Sequence, residues 1–358
     1  MIWLNSLLRN KFPLSNRTCK IVVIGMLIFI ILLMPARQVN ISPVNNMFDK
    51  SGDEEKFILQ VQRFPDYERH MEEYWTKRAI EHPAEVEMSR KRYESYGDLT
   101  YYPHPPIALV FAYPLVKITD DIGTLRLFSW FVFSFCILVP LYLVYKRRRR
   151  WRYLIIPTLT ILLGLKIVCL ASNTFYLDTF MMFFLFSSML LWHSKYKRFS
   201  YITLALMVGC KIYAVAFLLP FLLEDRKNLK GLAYLALCSL PLVAFLTFCY
   251  AKTGDFLYPF QHWITVNQAL GVQTLPKLDR ALALFGFASA YFLPSLFLLG
   301  YAIYKKRIFA CSLWVLGILI TFSWASYLYF LLPAYFSTGL LTMEKNEKVR
   351  SDEYLQPA

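Results

Sequence analysis

The stretch LFSWFVFSFCILVPLYLVYKRRRRWR, residues 127–152, decides the fold class of this chain. Its first part, Leu127 to Tyr145, is a predominantly apolar run, and a helix of about 20 such residues is long enough to cross a bilayer. Its second part is a dense cluster of lysine and arginine, which is typical of the cytoplasmic end of a membrane span. Together the two parts predict a transmembrane helix whose C-terminal end faces the cytoplasm.

The whole composition agrees with this assignment. Of 358 residues, 57% are hydrophobic and only 18% are charged, against about 25% charged residues in ordinary soluble domains. The net charge of +15 falls in short clusters between apolar runs, so it indicates membrane topology and predicts no nucleic-acid partner. We therefore predict an all-α integral membrane protein, a multi-pass helical bundle of roughly eight to ten spans.

The basic clusters also predict which segments face the cytoplasm. We expect residues 1–20 to be cytoplasmic, 21–341 to form one transmembrane domain, and 342–358 to be a cytoplasmic tail. The polar residues 38–106 then form a large first outer loop, and 251–280 form a second. A bacterial inner membrane is the expected location, because the chain is compact and has no evident retention signal.

Several shorter segments are predicted to depart from simple spans. Ile107 to Val116 is too short to cross a bilayer comfortably and follows Pro105-Pro106, so it is expected as a juxtamembrane helix. Between Ile202 and Leu223, Lys211 interrupts the apolar pattern, which predicts a shallow helical hairpin with Lys211 at its outer end. Leu232 to Tyr250 is expected to be one further span. A second juxtamembrane helix is predicted after Pro65, where aromatic residues recur at helical spacing.

The Tyr102-Pro103-His104-Pro105-Pro106 stretch follows the acidic first loop, and Arg126 opens the next span. Further along, Asn173 to Asp178 precede a Phe-rich span, and Gly209-Cys210-Lys211 break an apolar run. In this order the features resemble the C-type glycosyltransferase superfamily (GT-C), both its protein-mannosyltransferase-like branch and the branch that uses polyprenyl-phosphate mannose. The resemblance covers roughly residues 20 to 230.

The resemblance implies transfer of a sugar, mannose or another hexose, from a polyprenyl-phosphate donor to a lipid, glycan or protein acceptor, with inversion at the anomeric carbon. Such a reaction needs a base for the acceptor hydroxyl and cations for the departing phosphate. Asp66 is the first candidate for the base, because Phe64-Pro65-Asp66-Tyr67 resembles the Asp-aromatic start of the family's first juxtamembrane helix. Asp49 is the second, since it lies nearer the first helix but in a less family-like context. Lys211 and Arg126 are the candidates for the phosphate.

Three further residues are candidates for substrate binding, namely His104, Asp178 and Tyr102. Structural roles remain open beside the functional ones, since Asp66 and Asp178 each stand where a helix cap is favoured. No cofactor is predicted, and no nucleotide-binding motif occurs. A divalent metal is possible, although the loop carboxylates have no recognised metal-site spacing and the seven cysteines form no CxxC pair.

Two other classes of membrane protein compete with the transferase. A lipid or solute transporter, or a flippase, would explain many helices, proline breaks and charges within apolar segments, although no internal repeat is evident. A polymerase of lipid-linked glycans would share the large outer loops.

Overall fold

The computed structural model describes residues 15–36, 57–58, 60–62, 80, 105–119, 121–163, 175–260 and short pieces between 300 and 316. All regular structure in these ranges is helical, which confirms the all-α prediction for this part of the chain. The helices are α1 Asn16–Ala36, α2 Ile107–Ile118, α3 Ile122–Arg148, α4 Ile155–Leu163, α5 Leu177–Trp192, α6 Lys197–Val208, α7 Leu218–Asp225, α8 Leu229–Leu237 and α9 Leu240–Thr253, with 3-10 turns at Trp151–Leu154 and Ile212–Phe217.

Three helical stretches are long and apolar enough to cross a membrane. They are Asn16–Leu33 in α1, Ile122–Lys146 in α3, and Leu229–Ala251, which runs through α8 and α9. The last was expected as one unbroken span, but a turn at Cys238 and Ser239 divides it. Pro241 lies in the first turn of α9, where its missing N–H is tolerated. In a continuous helix the same residue would lack one backbone hydrogen bond, which explains the division here.

Helix α5 lies at the centre of the described bundle. It buries side chains on all sides, including Phe180, Phe184 and Leu185, as expected of a helix that is apolar all round. On one side Phe111 of α2 packs against Phe184 with ring centroids 5.0 Å apart. Helix α3 packs through Phe135, whose ring lies 5.5 Å from that of Phe183.

Helix α6 returns antiparallel to α5, and the two are joined across their middle by a hydroxyl pair. Ser188 and Thr203 lie 2.7 Å apart between their Oγ and Oγ1 atoms. At the end of α6 the chain breaks at Gly209–Lys211, continues in the 3-10 turn Ile212–Phe217, and enters α7. The predicted interruption at Lys211 is therefore confirmed, while the shallow position of this segment in the membrane, with Lys211 at its outer end, stays a prediction.

Helix α2 begins at Ile107 as predicted and ends at Ile118, whereas α3 begins at Ile122, five residues before the predicted start at Leu127. Helix α2 has 12 residues, a length of about 18 Å, so it is the short helix expected there. Asp121 caps α3, because its Oδ2 accepts from both the backbone N–H and the hydroxyl of Thr124 at 2.7 Å. The hydrogen bond from the Thr124 hydroxyl is the larger cause, and that from its backbone N–H is the next, of a pKa for Asp121 that lies below its ordinary value.

A polar cluster lies where α5 ends and α6 begins. Lys197 donates to Oδ1 of Asp225 at 2.8 Å, and the Tyr201 hydroxyl donates to Oδ2 of Asp225 at 3.1 Å. The indole N–H of Trp192 donates to Glu224 at 3.1 Å. Because Asp225 is the last residue of α7, this cluster ties the end of α7 to the turn between α5 and α6.

Candidate functional site

The site centres on a buried ion pair between Asp178 and Lys211. Lys211 Nζ lies 2.7 Å from Oδ1 of Asp178 and donates to its Oδ2 at 2.8 Å. The side chain of Lys211 is fully buried, and that of Asp178 is 5% exposed. Removing two charges from water carries a large penalty, so this pair must be held by good geometry and by further hydrogen bonds.

The two charges meet because α5 and α6 are antiparallel neighbours. Asp178 is the second residue of α5, where the positive end of the helix dipole favours an acidic side chain. Lys211 follows the C-terminal end of α6, where the opposite end of the dipole favours a cation. The cap position of α5 falls on Tyr176, so the alternative that Asp178 itself caps the helix is wrong.

Two tyrosines, Tyr176 and Tyr213, also contact the pair. The hydroxyl of Tyr213 donates to Oδ1 of Asp178 at 2.9 Å. Lys211 Nζ lies 4.9 Å from the centre of the Tyr213 ring and 5.1 Å from the centre of the Tyr176 ring. A cation over an aromatic face is stabilised most where water is excluded, as it is here. The ammonium is therefore held between one carboxylate and two rings.

The end of the His-Pro-Pro element abuts the break that carries Lys211. The backbone N–H of Ile107 donates to the carbonyl oxygen of Gly209 at 3.0 Å. A Cβ added at Gly209 would collide with Cγ1 of Ile107 and would lie 3.2 Å from Cβ of Pro241. Glycine is thus required at this position by the close approach of α2.

The first polar loop also reaches this end of the bundle. Phe57 is fully buried, and its ring lies 5.6 Å from both Phe175 and Tyr176. Val61, one helical turn later, is fully buried as well. Because the Tyr176 ring also contacts Lys211, Tyr176 connects Phe57 of the loop to the ion pair.

Arg126 lies on α3 and is half-buried. Ser129, one turn further along the same face, lies 3.4 Å from Thr179 between hydroxyl oxygens. Phe128 packs against Phe180 with ring centroids 5.5 Å apart. The beginning of α3, which carries Arg126, therefore lies beside the beginning of α5, which carries Asp178.

Four of the predicted site residues, Asp66, Asp49, His104 and Tyr102, lie outside the described residues. The described chain begins again at Pro105, directly after His104, and Val61 precedes Asp66 by five residues. Of the predicted residues that are described, the structure brings Asp178 and Lys211 into contact and places Arg126 on a neighbouring helix. Within the described ranges, no group of three or more His, Cys, Asp or Glu residues could hold a metal ion.

The sequence analysis did not predict that Tyr176 and Tyr213 contact the ion pair, nor that Phe57 packs beside Tyr176. Tyr176 lies two residues before Asp178, and Tyr213 lies two residues after Lys211. This nearness in sequence to the charged residues could have indicated that both tyrosines belong to the site. Phe57, Ile58 and Val61 have the i, i+1, i+4 spacing of a helix face, which could have indicated that part of the polar loop packs into the core.

Compared with known proteins, the chain matches no protein-family model, no curated protein and no solved structure. The function of the site is therefore inferred from its own residues and from their arrangement.

Proposed function

We propose that this chain is an integral membrane glycosyltransferase that moves a hexose from a polyprenyl-phosphate donor to a lipid, glycan or protein acceptor, inverting the anomeric carbon. One observation carries the proposal. The separate stretches that resemble the GT-C superfamily converge: the Pro105-Pro106 element on Gly209, the α3 start on the α5 start, and Asp178 on Lys211.

The proposed reaction needs a base close to the donor. Asp66 is the first candidate and Asp49 the second, and Phe57 lies between them in the sequence. Phe57 is docked beside Tyr176, and a chain of five residues spans at most about 17 Å. The short distance in sequence from Val61 to Asp66 supports a base that acts at this end of the bundle.

The charged residues take distinct parts in the proposal. Lys211 is already paired with Asp178. A donor phosphate at that position would therefore share the Lys211 ammonium with the carboxylate or displace the carboxylate from it. Arg126, on the adjacent helix, is the second cation for the phosphate, and guanidinium groups favour bidentate phosphate contacts. Asp178 and Tyr213 would then position Lys211 between substrate turnovers.

The proposed enzyme has its site at the outer face of a bacterial inner membrane, with roughly eight to ten spans and with residues 38–106 as the outer loop. The cluster of exposed basic residues after α3 and the basic turn after α7 both lie at the other end of the bundle from Lys211. This arrangement agrees with a cytoplasmic basic end and an outer site.

A transporter or flippase is the second candidate, favoured by one observation. Helix α6 is broken at Gly209–Lys211 next to a buried ion pair, and broken helices beside intramembrane charges are typical of transport sites.

The deciding experiment is sugar transfer by purified protein in liposomes, with a panel of labelled polyprenyl-phosphate sugars. We expect transfer by the wild type and its loss in Asp66→Asn. Loss in Asp49→Asn instead would keep the enzyme class and move the base. Asp121→Asn is the matched control, because asparagine also caps helices and the residue lies outside the proposed machinery. If no donor supports transfer and lipid or solute instead moves across the liposome bilayer, the transporter replaces the transferase as the proposed function.

A further inference from the structure

We propose that the basic end of the bundle, where α1 meets the turn after α3, is a binding site for the phosphate headgroup of an anionic membrane phospholipid. We name it the α1–α3 basic site and define it by Arg17, Lys20, Arg149, Arg150 and Arg152. The proposal does not depend on the proposed transferase activity.

The site is assembled by contacts between segments that are far apart in the sequence. The backbone N–H of Trp151 donates to Oδ1 of Asn16 at 2.9 Å, which joins the first residue of α1 to the turn after α3. Lys20, one turn along α1, places its Nζ 5.8 Å from the centre of the Trp151 ring. Tyr145 packs on the other side, with its ring centroid 5.0 Å from that of Trp151. Lys20 is thus held over the ring of Trp151, which lies in the sequence between Arg150 and Arg152.

Among the residues that the structure describes, no acidic neighbour neutralises the exposed charges of this site. Arg17, Lys20, Arg149 and Arg150 are exposed. The sequence contains no Asp or Glu before Asp49, nor any between Asp121 and Asp178. Within the described part of the chain, no carboxylate forms an ion pair with these four residues. A concentrated positive field without internal counterions attracts a phosphate-bearing ligand.

Arg152 supplies a hydrogen-bond donor that the described residues leave unused. Its Nη2 donates to the Tyr153 hydroxyl at 3.2 Å, and its guanidinium lies 5.1 Å from the centre of the Tyr153 ring. Its Nε, however, is buried and has no hydrogen-bond partner among the residues that the structure describes. A buried guanidinium N–H without an acceptor is costly, and a phosphate oxygen would satisfy it.

The surroundings favour a lipid over a free phosphate as the source of this group. Both α1 and α3 are long enough to cross a membrane, and tryptophan and tyrosine beside basic residues are typical of the headgroup region. Exposed apolar side chains on α1, such as Ile21 and Phe29, continue from the site along the helix. They offer a surface for acyl chains, which inorganic phosphate would not use.

A cluster of arginines also sets membrane topology, and that role needs only the number of charges. A binding site additionally needs the geometry, so the two roles respond differently to a change that removes no charge. Asn16→Ala is such a change, because it deletes the acceptor that joins α1 to Trp151 and leaves every basic residue in place.

The test is a thermal-unfolding titration of the purified full chain in a neutral detergent, where insertion topology plays no part. The probes are short-chain phosphatidylglycerol, short-chain phosphatidylcholine and inorganic phosphate. We expect phosphatidylglycerol to raise the unfolding midpoint in a saturable way and phosphatidylcholine to leave it unchanged. The double variant Lys20→Gln/Arg150→Gln should weaken the apparent affinity by roughly fivefold per removed charge.

The matched control is Arg226→Gln/Lys227→Gln, which removes the same charge from exposed positions after α7 and should leave the affinity unchanged. Asn16→Ala should weaken phosphatidylglycerol binding. If the control pair weakens binding equally, or if Asn16→Ala has no effect, binding depends on net charge alone and the proposal is overturned. Inorganic phosphate that binds as well as phosphatidylglycerol would make this a free-phosphate site and would overturn the lipid assignment.

Discussion

The backbone N–H of Ile107 donates to the carbonyl oxygen of Gly209, and this bond fixes the start of α2 against the break that carries Lys211. The two residues are far apart in the sequence, yet their contact leaves no room for a side chain at position 209. The close approach of α2 therefore favours glycine two residues before Lys211.

Gly209→Ala is expected to destabilise the protein. The backbone of Gly209 at φ −72° suits any residue, so without the contact alanine would stabilise the protein by about 0.4–1 kcal/mol, because it lowers the entropy of the unfolded chain. Its Cβ would instead meet Ile107, as well as Pro241 at 3.2 Å, and overpacking costs about 1–3 kcal/mol. Thermal unfolding in detergent measures the net loss.

The control for this substitution is Gly25→Ala, since a Cβ at Gly25 meets nothing within 4 Å. That variant should be neutral or slightly stabilised. Adding Ile107→Ala to Gly209→Ala should recover part of the loss, and a strictly additive double variant would contradict the proposed contact.

Asp178→Asn is expected to destabilise the protein by about 3–5 kcal/mol, because it leaves the Lys211 ammonium buried without its carboxylate. The double variant Asp178→Asn/Lys211→Met should recover most of this loss, since neither charge then remains. Unfolding midpoints of the two single variants and the double variant form the required cycle. A double variant as unstable as the sum of the singles would show that the pair does not couple.

Tyr213→Phe should cost about 1.5–3 kcal/mol, the usual contribution of a hydrogen bond to a charged group, because it removes the donor to Asp178 and keeps the ring beside Lys211. Tyr213→Leu should cost more, since it also removes the cation–π contact. Equal unfolding midpoints for the two variants would assign the whole effect to the hydroxyl.

Gly231→Ala is expected to break the polar cluster at the opposite end of the bundle. A Cβ there would collide with the Asp225 carboxylate and lie 3.0 Å from Nδ2 of Asn228. Asp225 would then lose its contacts with Lys197 and Tyr201. In an Asp225→Ala background the same substitution should cost much less, and the difference between the two unfolding free energies measures the coupling.

The first turn of α3 should depend on pH through Asp121. Hydrogen bonds from Thr124 hold the pKa of Asp121 below its ordinary value of 3.8, so the capping contribution is fully present above that value. It is lost as the pH falls through the lowered pKa, when the carboxylate is protonated. Hydrogen exchange of the Thr124 amide should show this loss in the wild type, whereas Asp121→Asn should show no such pH dependence.

The sequence by itself determined the fold class and the break at Gly209–Lys211, as well as the shortness of α2. These features are local, because the length of an apolar run, a proline or glycine, and a basic cluster act on the residues around them. The tertiary structure alone decided that Asp178 pairs with Lys211 instead of capping α5, and that Phe57 of the polar loop docks beside Tyr176. Those contacts join residues on separate segments, and burial in a shared apolar core, where an unpaired charge is costly, selects the partner.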